Sequence, residues 1–343
     1  MRLAILSDTF PPLRSSAAVQ IRDLAMEFTA QGHDPLVIVP APDLSSNWQV
    51  ESYYGVSVLR TKTLRTKDVG YVKRALAEAL MPIVMWRRLQ QSGELARGLD
   101  AVVWYSPSIF HGPLVHWLKR RFGCPTFLIL RDIFPEWVVD MGLMKRGLAY
   151  RVFKMMEKLQ YRAADTIGIQ SESARGYLQT MRGTGDPRIH LLRNWLFDSK
   201  PGPCSIRVEK TTLAGRKICV YAGNMGVAQG VDVFLHVAER LKSNCEIGFL
   251  FVGRGSDMVT LRQWTIDRGL DNVLFHDEID PDEIPGLLAQ CHVGLLALDP
   301  RHTTDNIPGK FIAYMRAALP TLASVNPGNE LLNTIMSRGL GFA

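Results

Sequence analysis

KICVYAGNMGVAQGVDVFLHVAERLKSNCEIGFLFVGRG, residues 217–255, decides the fold. The run 217–222 is a short apolar strand. Glycines at 223, 226 and 230 interrupt it, a helical pattern follows over 231–242, and a second apolar strand, 247–252, ends in Gly253-Arg254-Gly255. Strand, glycine loop, helix, strand is the repeating unit of a parallel α/β sheet. Strands in such a sheet are covered on both faces, so they read as continuous apolar runs rather than as polar–apolar alternation.

The alternation extends both ways from this segment. Downstream, the pattern predicts a helix over 258–268, a strand at 273–276, a helix at 285–289, a strand at 293–297, a helix at 310–318 and a strand at 321–324. Upstream, LAILS at 3–7 is followed by the turn Pro11-Pro12, a helix over 18–31 closed by Gly32, and PLVIV at 35–39. Further strands are expected at 56–59, 101–104, 126–130 and 166–170, with helices at 113–122 and 148–162. Between the two series, 197–214 is rich in Pro, Gly, Ser and Thr and reads as a linker. The expectation is a first Rossmann-like domain over 1–196 and a second over 215–343. A chain of 343 residues suits two domains.

Composition narrows the class. Apolar residues make up 47% of the chain, which excludes general disorder. Cys124, Cys204, Cys219, Cys245 and Cys291 are scattered, so neither a zinc site nor a disulfide framework is indicated, and a reducing cytoplasm is expected. The opening MRLAILSDTFPP makes a poor signal peptide. The longest apolar stretch, 75–86, carries Glu78 and Pro82 and falls short of a membrane span. Residues 1–196 hold 26 Lys/Arg against 17 Asp/Glu, while residues 197–343 hold 14 against 16. The basic half points to an anionic partner, or serves solubility alone.

In open α/β sheets ligands bind beyond the carboxyl ends of the strands, and four strand-end loops stand out. Gly223, Asn224, Gly226 and Gln229 form one, with glycines that let a backbone approach a phosphate before a helix N-terminus. Gly253, Arg254 and Gly255 form the second. The third is Asp305-Asn306-Ile307-Pro308-Gly309-Lys310, which opens a helix with Lys310 in its first turn, where the helix dipole disfavours a cation. Such a lysine implies an anion, or is a solvated surface residue. The fourth, Arg131-Asp132-Ile133-Phe134-Pro135-Glu136-Trp137, sets charged groups and an indole beyond strand 126–130, where they place a sugar or lipid phosphate or form a structural Arg–Asp pair.

The segments LRDIFPEW (130–137), RNW (193–195), YAGNMGVAQG (221–230) and IPGKFIAYM (307–315) resemble retaining glycosyltransferase family 4, of GT-B fold, and within it the branch that adds amino sugars such as N-acetylfucosamine to bacterial O-antigen or capsule. The resemblance runs the length of the chain. It implies an acceptor-binding first domain facing a donor-binding second domain across a cleft, a UDP-linked sugar donor, a polyprenyl-diphosphate-linked acceptor, and neither a metal nor another cofactor. It implies catalytic roles for Asp132, Asp305 and Lys310. Donor contacts would come from the two glycine loops, Asn306, Pro308, Lys310 and Glu330, and acceptor contacts from Ser15, Ser16, Arg131, Glu136 and Trp137.

Several positions depart from the family pattern. Ser15 and Ser16 stand where many members have a glycine pair, and Arg131 where many have a histidine. Asn224 and Gln229 replace an Arg and a Lys, so Lys310 and Arg254 would carry more of the phosphate charge. Asp305 matches the first member of the family's acidic pair, but the second falls on Ala313. Relatives continue beyond Gly339-Leu340-Gly341-Phe342-Ala343 through further helices, and an end at 343 would leave apolar surface exposed.

Within 60–88, Arg60, Lys62, Arg65, Lys67, Lys73, Arg74, Arg87 and Arg88 interleave with Leu76, Ala79, Leu80, Met81, Ile83, Val84, Met85 and Trp86. This composition suits a helix lying on anionic lipid at the inner face of the cytoplasmic membrane, and equally a core helix with a solvated basic face. No helix-turn-helix, RRM-like or zinc pattern supports nucleic-acid binding. Two other functions share the same features: a GT-B epimerase acting on UDP-N-acetyl sugars, and a non-catalytic sugar-nucleotide-binding or scaffold protein.

Overall fold

The computed structural model describes residues 1–66, 69–106, 108–182, 186, 188–198, 200–301, 307–326 and 328–343. The chain divides into two compact units, Met1–Arg193 and Asn194–Ala343.

Among the described residues the first unit is built on eight strands: β1 (Arg2–Leu6), β2 (Asp34–Pro40), β3 (Trp48–Tyr53), β4 (Val56–Thr61), β5 (Ala101–Tyr105), β6 (Thr126–Leu130), β7 (Thr166–Ile169) and β8 (Ile189–Leu191), in the order β3-β4-β2-β1-β5-β6-β7-β8. Every pairing is parallel except β3 with β4. The helices are α1 (Ser16–Ala30), α2 (Tyr71–Gln91), α3 (Gly112–Phe122), α4 (Glu136–Asp140), α5 (Leu148–Ala163) and α6 (Glu172–Arg182). All five residues of β1 are buried, as its unbroken apolar run requires. Strand β3 was not anticipated. Its sequence, WQVESY, mixes polar and apolar side chains because it is a half-exposed edge strand, joined to β4 by a turn in which Tyr54 and Gly55 both have positive φ.

Helix α3 lies between α2 and α5. Trp86 of α2 meets Trp117 of α3 at 5.9 Å between ring centroids. On the other side, α3 begins so close to α5 that a Cβ on Gly112 would lie 2.8 Å from the Cα of Gln160.

Among the described residues the second unit carries six parallel strands: β9 (Lys217–Asn224), β10 (Ile247–Arg254), β11 (Val273–Asp277), β12 (Val293–Ala297), β13 (Thr321–Ser324) and β14 (Gly341–Phe342), in the order β11-β10-β9-β12-β13-β14. Its helices are α7 (Asp232–Arg240), α8 (Met258–Asp267), α9 (Ile284–Leu288), α10 (Gly309–Arg316) and α11 (Glu330–Ser337). The stretch 197–214, read as a linker, needs correction. Ile206, Val208 and Leu213 are buried in the core of this unit, packed with Ile218, Leu287 and Leu288. A few apolar anchors outweighed the Pro- and Gly-rich composition around them.

Among the parallel strands of each sheet the order reverses between β1 and β5 in the first and between β9 and β12 in the second. Such reversals open a crevice at the carboxyl ends of the strands. Among the described residues no helix is long and apolar enough to cross a membrane.

The contact of α3 with α5 gives a test of the first unit alone. Gly112→Ala forces a methyl group against the Gln160 backbone and should destabilise this unit by about 2 kcal/mol. Urea unfolding monitored by tryptophan fluorescence checks the size of the loss.

Candidate functional site

In the second unit, the loops after β9 and β10 leave the sheet side by side. Gly223 pairs with Gly253 and Asn224 with Arg254 across the two strands, and the N–H of Met225 donates to the carbonyl of Arg254 at 2.7 Å. The approach excludes side chains. A Cβ on Gly253 would lie 1.9 Å from the Gly223 oxygen, and one on Gly255 would lie 2.0 Å from the Met225 oxygen. These glycines therefore hold two strand-end loops together, backbone on backbone.

Lys310 comes to this place from a third element. It is the second residue of α10, whose cap, Pro308, has an extended backbone. Its Nζ sits 3.5 Å from the centroid of the Tyr221 ring, and a Cβ on Gly223 would meet that Nζ at 3.4 Å. The lysine anticipated at a helix start is thus brought against the glycine loop anticipated beyond β9. A cation over a ring face gains from the aromatic quadrupole, but three influences oppose the charge. The helix N-terminus is positive, water is largely excluded, and no described carboxylate is close enough to compensate. Part of the residue retains exposed surface, but the ammonium itself rests on the buried ring, and burial there pushes its pKa down to about 7.

Tyr314, one turn beyond Lys310, sets the register of α10. Its ring covers Gly294, where a Cβ would lie 2.4 Å from the ring carbons. Its hydroxyl lies 3.2 Å from the carbonyl oxygen of Val220 and 3.0 Å from that of Leu295, donating to one at a time, and accepts from the Ala222 N–H at 3.4 Å. One phenol therefore joins α10 to both β9 and β12 at the point where the strand order reverses.

The other residues expected at the donor site divide into two groups. Gln229 is used within its own loop: its Oε1 accepts from the Asn224 amide at 2.7 Å and from the Gly226 N–H at 3.1 Å. Arg254 is exposed and faces Glu278 at 3.2 Å, so its charge is already partly answered. Glu330 opens α11 beyond β13, after the cap Asn329. Asp305 and Asn306 lie outside the described residues. Asp299 and Arg301 were missed by sequence reasoning. They follow β12 and form a two-pronged ion pair, 2.9 Å and 2.7 Å, with Asp299 folded against the Gly230 turn. A lone D-P-R tripeptide gave no signal of this.

In the first unit the expected acceptor residues are largely tied to the fold. Ser15 caps α1, its Oγ accepting from the Ala18 N–H at 3.2 Å, and Ser16 begins the helix. Arg131 donates to the carbonyl oxygens of Leu192 at 2.8 Å and Arg193 at 3.4 Å. Burial lowers its pKa, partly offset by the neighbouring Tyr105. Glu136 accepts from the Tyr150 hydroxyl at 2.8 Å and pairs with Lys154 at 3.1 Å. Burial opposes its ionisation, but these two partners outweigh it and its pKa is lowered. Trp137 is half-buried on α4, and Asp132 is half-buried at the end of β6, its carbonyl accepting from Ser106 at 3.3 Å.

A pair that the sequence did not reveal stands at the reversal point of this sheet. His111, fully buried before α3, places Nε2 2.9 Å from Oδ1 of Asp8, which follows β1. Among the described residues its Nδ1 has no hydrogen-bond partner. The two residues are 103 positions apart, so only the pairing of β1 with β5 makes them neighbours.

Two successive parallel α/β units, the second with a glycine-lined strand end and an uncompensated lysine, define the GT-B class of nucleotide-sugar fold. The family comparisons agree with this class: residues 16–195 match the glycosyl transferase 4-like domain and residues 205–337 match the glycosyl transferases group 1 domain. The chain belongs to glycosyltransferase family 4.

Among curated relatives it is 22% identical over 319 residues to the putative colanic acid biosynthesis glycosyl transferase WcaI of Escherichia coli, covering 85% of this chain and 76% of that protein. It is 23% identical over 231 residues to the probable glycosyltransferase WbjE of Pseudomonas aeruginosa, covering 66% of this chain and 57% of WbjE. Among solved structures, HepE of Anabaena in complex with UDP-glucose superposes with a TM-score of 0.66 at 15% identity, covering 98% of this chain and 89% of HepE. WaaG, a glycosyltransferase involved in lipopolysaccharide biosynthesis, superposes with a TM-score of 0.63 at 13% identity, covering 99% and 85%.

The depressed pKa of Lys310 has a consequence for stability. Unfolded, the ammonium keeps its proton up to about 10.5, but folded only up to about 7. Between these values the unfolded chain binds more protons, so stability rises with pH across that window. Lys310→Met should therefore raise the melting temperature, most of all below pH 7, and the gain should fade towards pH 10.5. Thermal melts across this range measure it, and a melting temperature unchanged at every pH would contradict the assignment. Gly253→Ala, by contrast, should cost about 3 kcal/mol through its clash with the Gly223 carbonyl, read as a lower urea midpoint.

Proposed function

We propose that this chain is a retaining glycosyltransferase that moves an N-acetylated amino sugar from a UDP-sugar to a lipid-diphosphate-linked saccharide, in the assembly of a bacterial surface polysaccharide such as O-antigen. The observation that carries the reading is the Lys310 ammonium, held against the glycine loop with no described carboxylate to balance it. A diphosphate is the anion that suits a glycine-lined strand end beside a helix N-terminus. The bound UDP-glucose of HepE and the polysaccharide setting named for WcaI support the choice of donor and pathway.

In this reading the second unit, Asn194–Ala343, takes the donor and the first, Met1–Arg193, takes the acceptor. The bond from the anomeric carbon to the diphosphate oxygen breaks, and Lys310 stabilises the negative charge that collects on the departing UDP. The acceptor hydroxyl adds to the same face of the sugar and passes its proton to the leaving phosphate oxygen, so no second flanking carboxylate is needed. Asp305 contacts the donor sugar and Asp132 the acceptor hydroxyls. Asn224 and Arg254 line the diphosphate, and Asn306, Pro308 and Glu330 complete the donor contacts. Ser15, Ser16, Arg131, Glu136 and Trp137 shape the acceptor side, several of them by holding the loops rather than by reaching out.

The acceptor is membrane-borne, so the first unit works at the inner face of the cytoplasmic membrane. The segment 60–88 supports this reading in part. Leu76, Leu80 and Ile83 form an exposed apolar face of α2, with Lys73 and Arg87 at its ends, while Ala77, Met81, Met85 and Leu89 face the core. Three of its arginines are occupied elsewhere: Arg60 pairs with Glu51, Arg65 with Asp43 and Arg74 with Glu78.

Lys310→Ala should keep the fold and lose about 3 kcal/mol of transition-state stabilisation, a roughly 100-fold drop in turnover. Unchanged turnover in an assay with UDP-N-acetyl sugars and a polyprenyl-diphosphate saccharide would remove Lys310 from the mechanism. Binding of a diphosphate should restore the proton to Lys310. Titration calorimetry with UDP at about pH 8, in buffers of different ionisation enthalpy, should show proton uptake that vanishes in Lys310→Met.

A further inference from the structure

Asp8 and His111, the pair at the reversal point of the first sheet, have no part in the transfer as described above, yet both are held firmly. Asp8 follows β1 in a turn that is pinned on each side. The Ser7 N–H donates to the Ile38 carbonyl at 3.2 Å, and the Ser7 hydroxyl donates to the Thr9 carbonyl at 2.9 Å while accepting from the Thr9 N–H at 3.2 Å. Two residues on, Phe10 is buried and meets the Tyr53 ring edge-on, 5.4 Å between centroids. His111 stands between the buried Phe110 and Gly112, where the start of α3 is set against the Gln160 backbone of α5.

The two side chains differ in exposure. The imidazole is wholly buried, whereas the carboxylate keeps 30% of its surface. Its Oδ1 is taken by Nε2 of His111 at 2.9 Å, and among the described residues its Oδ2 has no hydrogen-bond partner. An ionised carboxylate only accepts, so Nε2 carries the proton of this bond. The result is a carboxylate fastened from behind with one oxygen open, beyond the carboxyl ends of the paired strands β1 and β5, where a sheet of this kind takes its ligand. Such an oxygen repels a phosphate. The group it suits is an O–H donor, which a saccharide presents at several positions and which a carboxylate binds more strongly than a neutral acceptor does.

We propose that Asp8 binds a hydroxyl of the acceptor saccharide through its open oxygen, with His111 as the positioning residue that fixes the carboxylate by its other oxygen. This rests on the transferase reading given above and adds to it a specificity-determining residue on the acceptor side. Asp8 takes no proton in the reaction, since the attacking hydroxyl gives its own to the leaving phosphate oxygen. Its part is to select and orient the saccharide. An oxygen fixed in this way discriminates by position, because a saccharide lacking the matching hydroxyl leaves a desolvated acceptor without its bond.

The test uses the full chain in the presence of UDP. Calorimetry measures binding of prenyl-diphosphate-linked N-acetylhexosamines and of their monodeoxy analogues, and initial rates with UDP-N-acetyl sugars follow transfer. Asp8→Asn keeps an oxygen for the His111 N–H and turns the open oxygen into an N–H donor, so a purely structural pair would be left intact. The variant should keep the wild-type melting temperature but bind the saccharide at least about tenfold more weakly, with a matching rise in acceptor KM and an unchanged KM for the UDP-sugar. One monodeoxy saccharide should bind wild type equally weakly and lose nothing more in Asp8→Asn, an arm that begins with the unaltered protein. His111→Gln should weaken saccharide binding about threefold in wild type and not at all in the Asp8→Asn background; an equal loss in both, or none in either, removes the positioning role. Wild-type affinity of Asp8→Asn for every saccharide overturns the site, as does a wild type that binds none of them. A change confined to the KM of the UDP-sugar gives Asp8 to the donor and overturns the acceptor assignment. Saccharide binding that depends on Asp8, with no transfer to any of them, leaves the hydroxyl site standing and sinks the transferase reading.

Discussion

An ammonium resting on a phenol ring, with no described carboxylate to answer it, is the constraint on which the second unit turns. Folding places the Lys310 charge where the helix end, the exclusion of water and the absent counter-ion all work against it, and only the cation–π contact favours it. A protein keeps such an arrangement only when the surrounding structure enforces it, and here the enforcement can be traced. Tyr314 fastens α10 to the backbones of β9 and β12, and Gly294 supplies the space for its ring. Gly223 lets the lysine approach, and Gly253 and Gly255 let the neighbouring strand end close in beside it. The cost in stability is the counterpart of readiness for an anion.

The two units treat their strand ends differently. In the first, charged side chains beyond the sheet are spent on internal bonds. Arg131 holds the backbone after β8, and Glu136 joins Tyr150 and Lys154. Lys154 in turn pairs with the fully buried Glu157, which accepts from Tyr161 at 3.0 Å and Tyr177 at 2.7 Å. A satisfied polar network of this kind gives its loops a defined shape at the expense of freely available charge. The second unit leaves its cation open. This contrast fits the division of labour proposed above, in which one unit offers shape to an acceptor and the other offers charge to a leaving group.

Much of the architecture was legible in the sequence because parallel strands must be apolar on both faces. Runs such as LAIL, TFLIL and VGLLA could hardly be anything else, and the observed bounds differ from the expected ones by a residue or two. The edge strand β3 and the anchors at 206–213 escaped, the first because one of its faces meets water, the second because a few buried side chains carried a segment of loop-like composition. Glycine loops and a lysine at a helix start could be placed at strand ends, since backbone conformation and the helix dipole act locally and leave a local trace.

The sequence by itself determined the two α/β series, the direction of their strands and the loops that lie at their carboxyl ends. Only the tertiary structure decided what each loop residue does. Gln229 closes a turn, Arg254 faces Glu278, Arg131 holds a backbone, and Lys310 alone of these cations stands without an answering charge. Asp8 and His111 became partners in the same way. The physical reason is that periodicity and capping depend on neighbours in the chain, whereas charge compensation and desolvation depend on neighbours in space, and a parallel sheet draws those from residues a hundred positions apart.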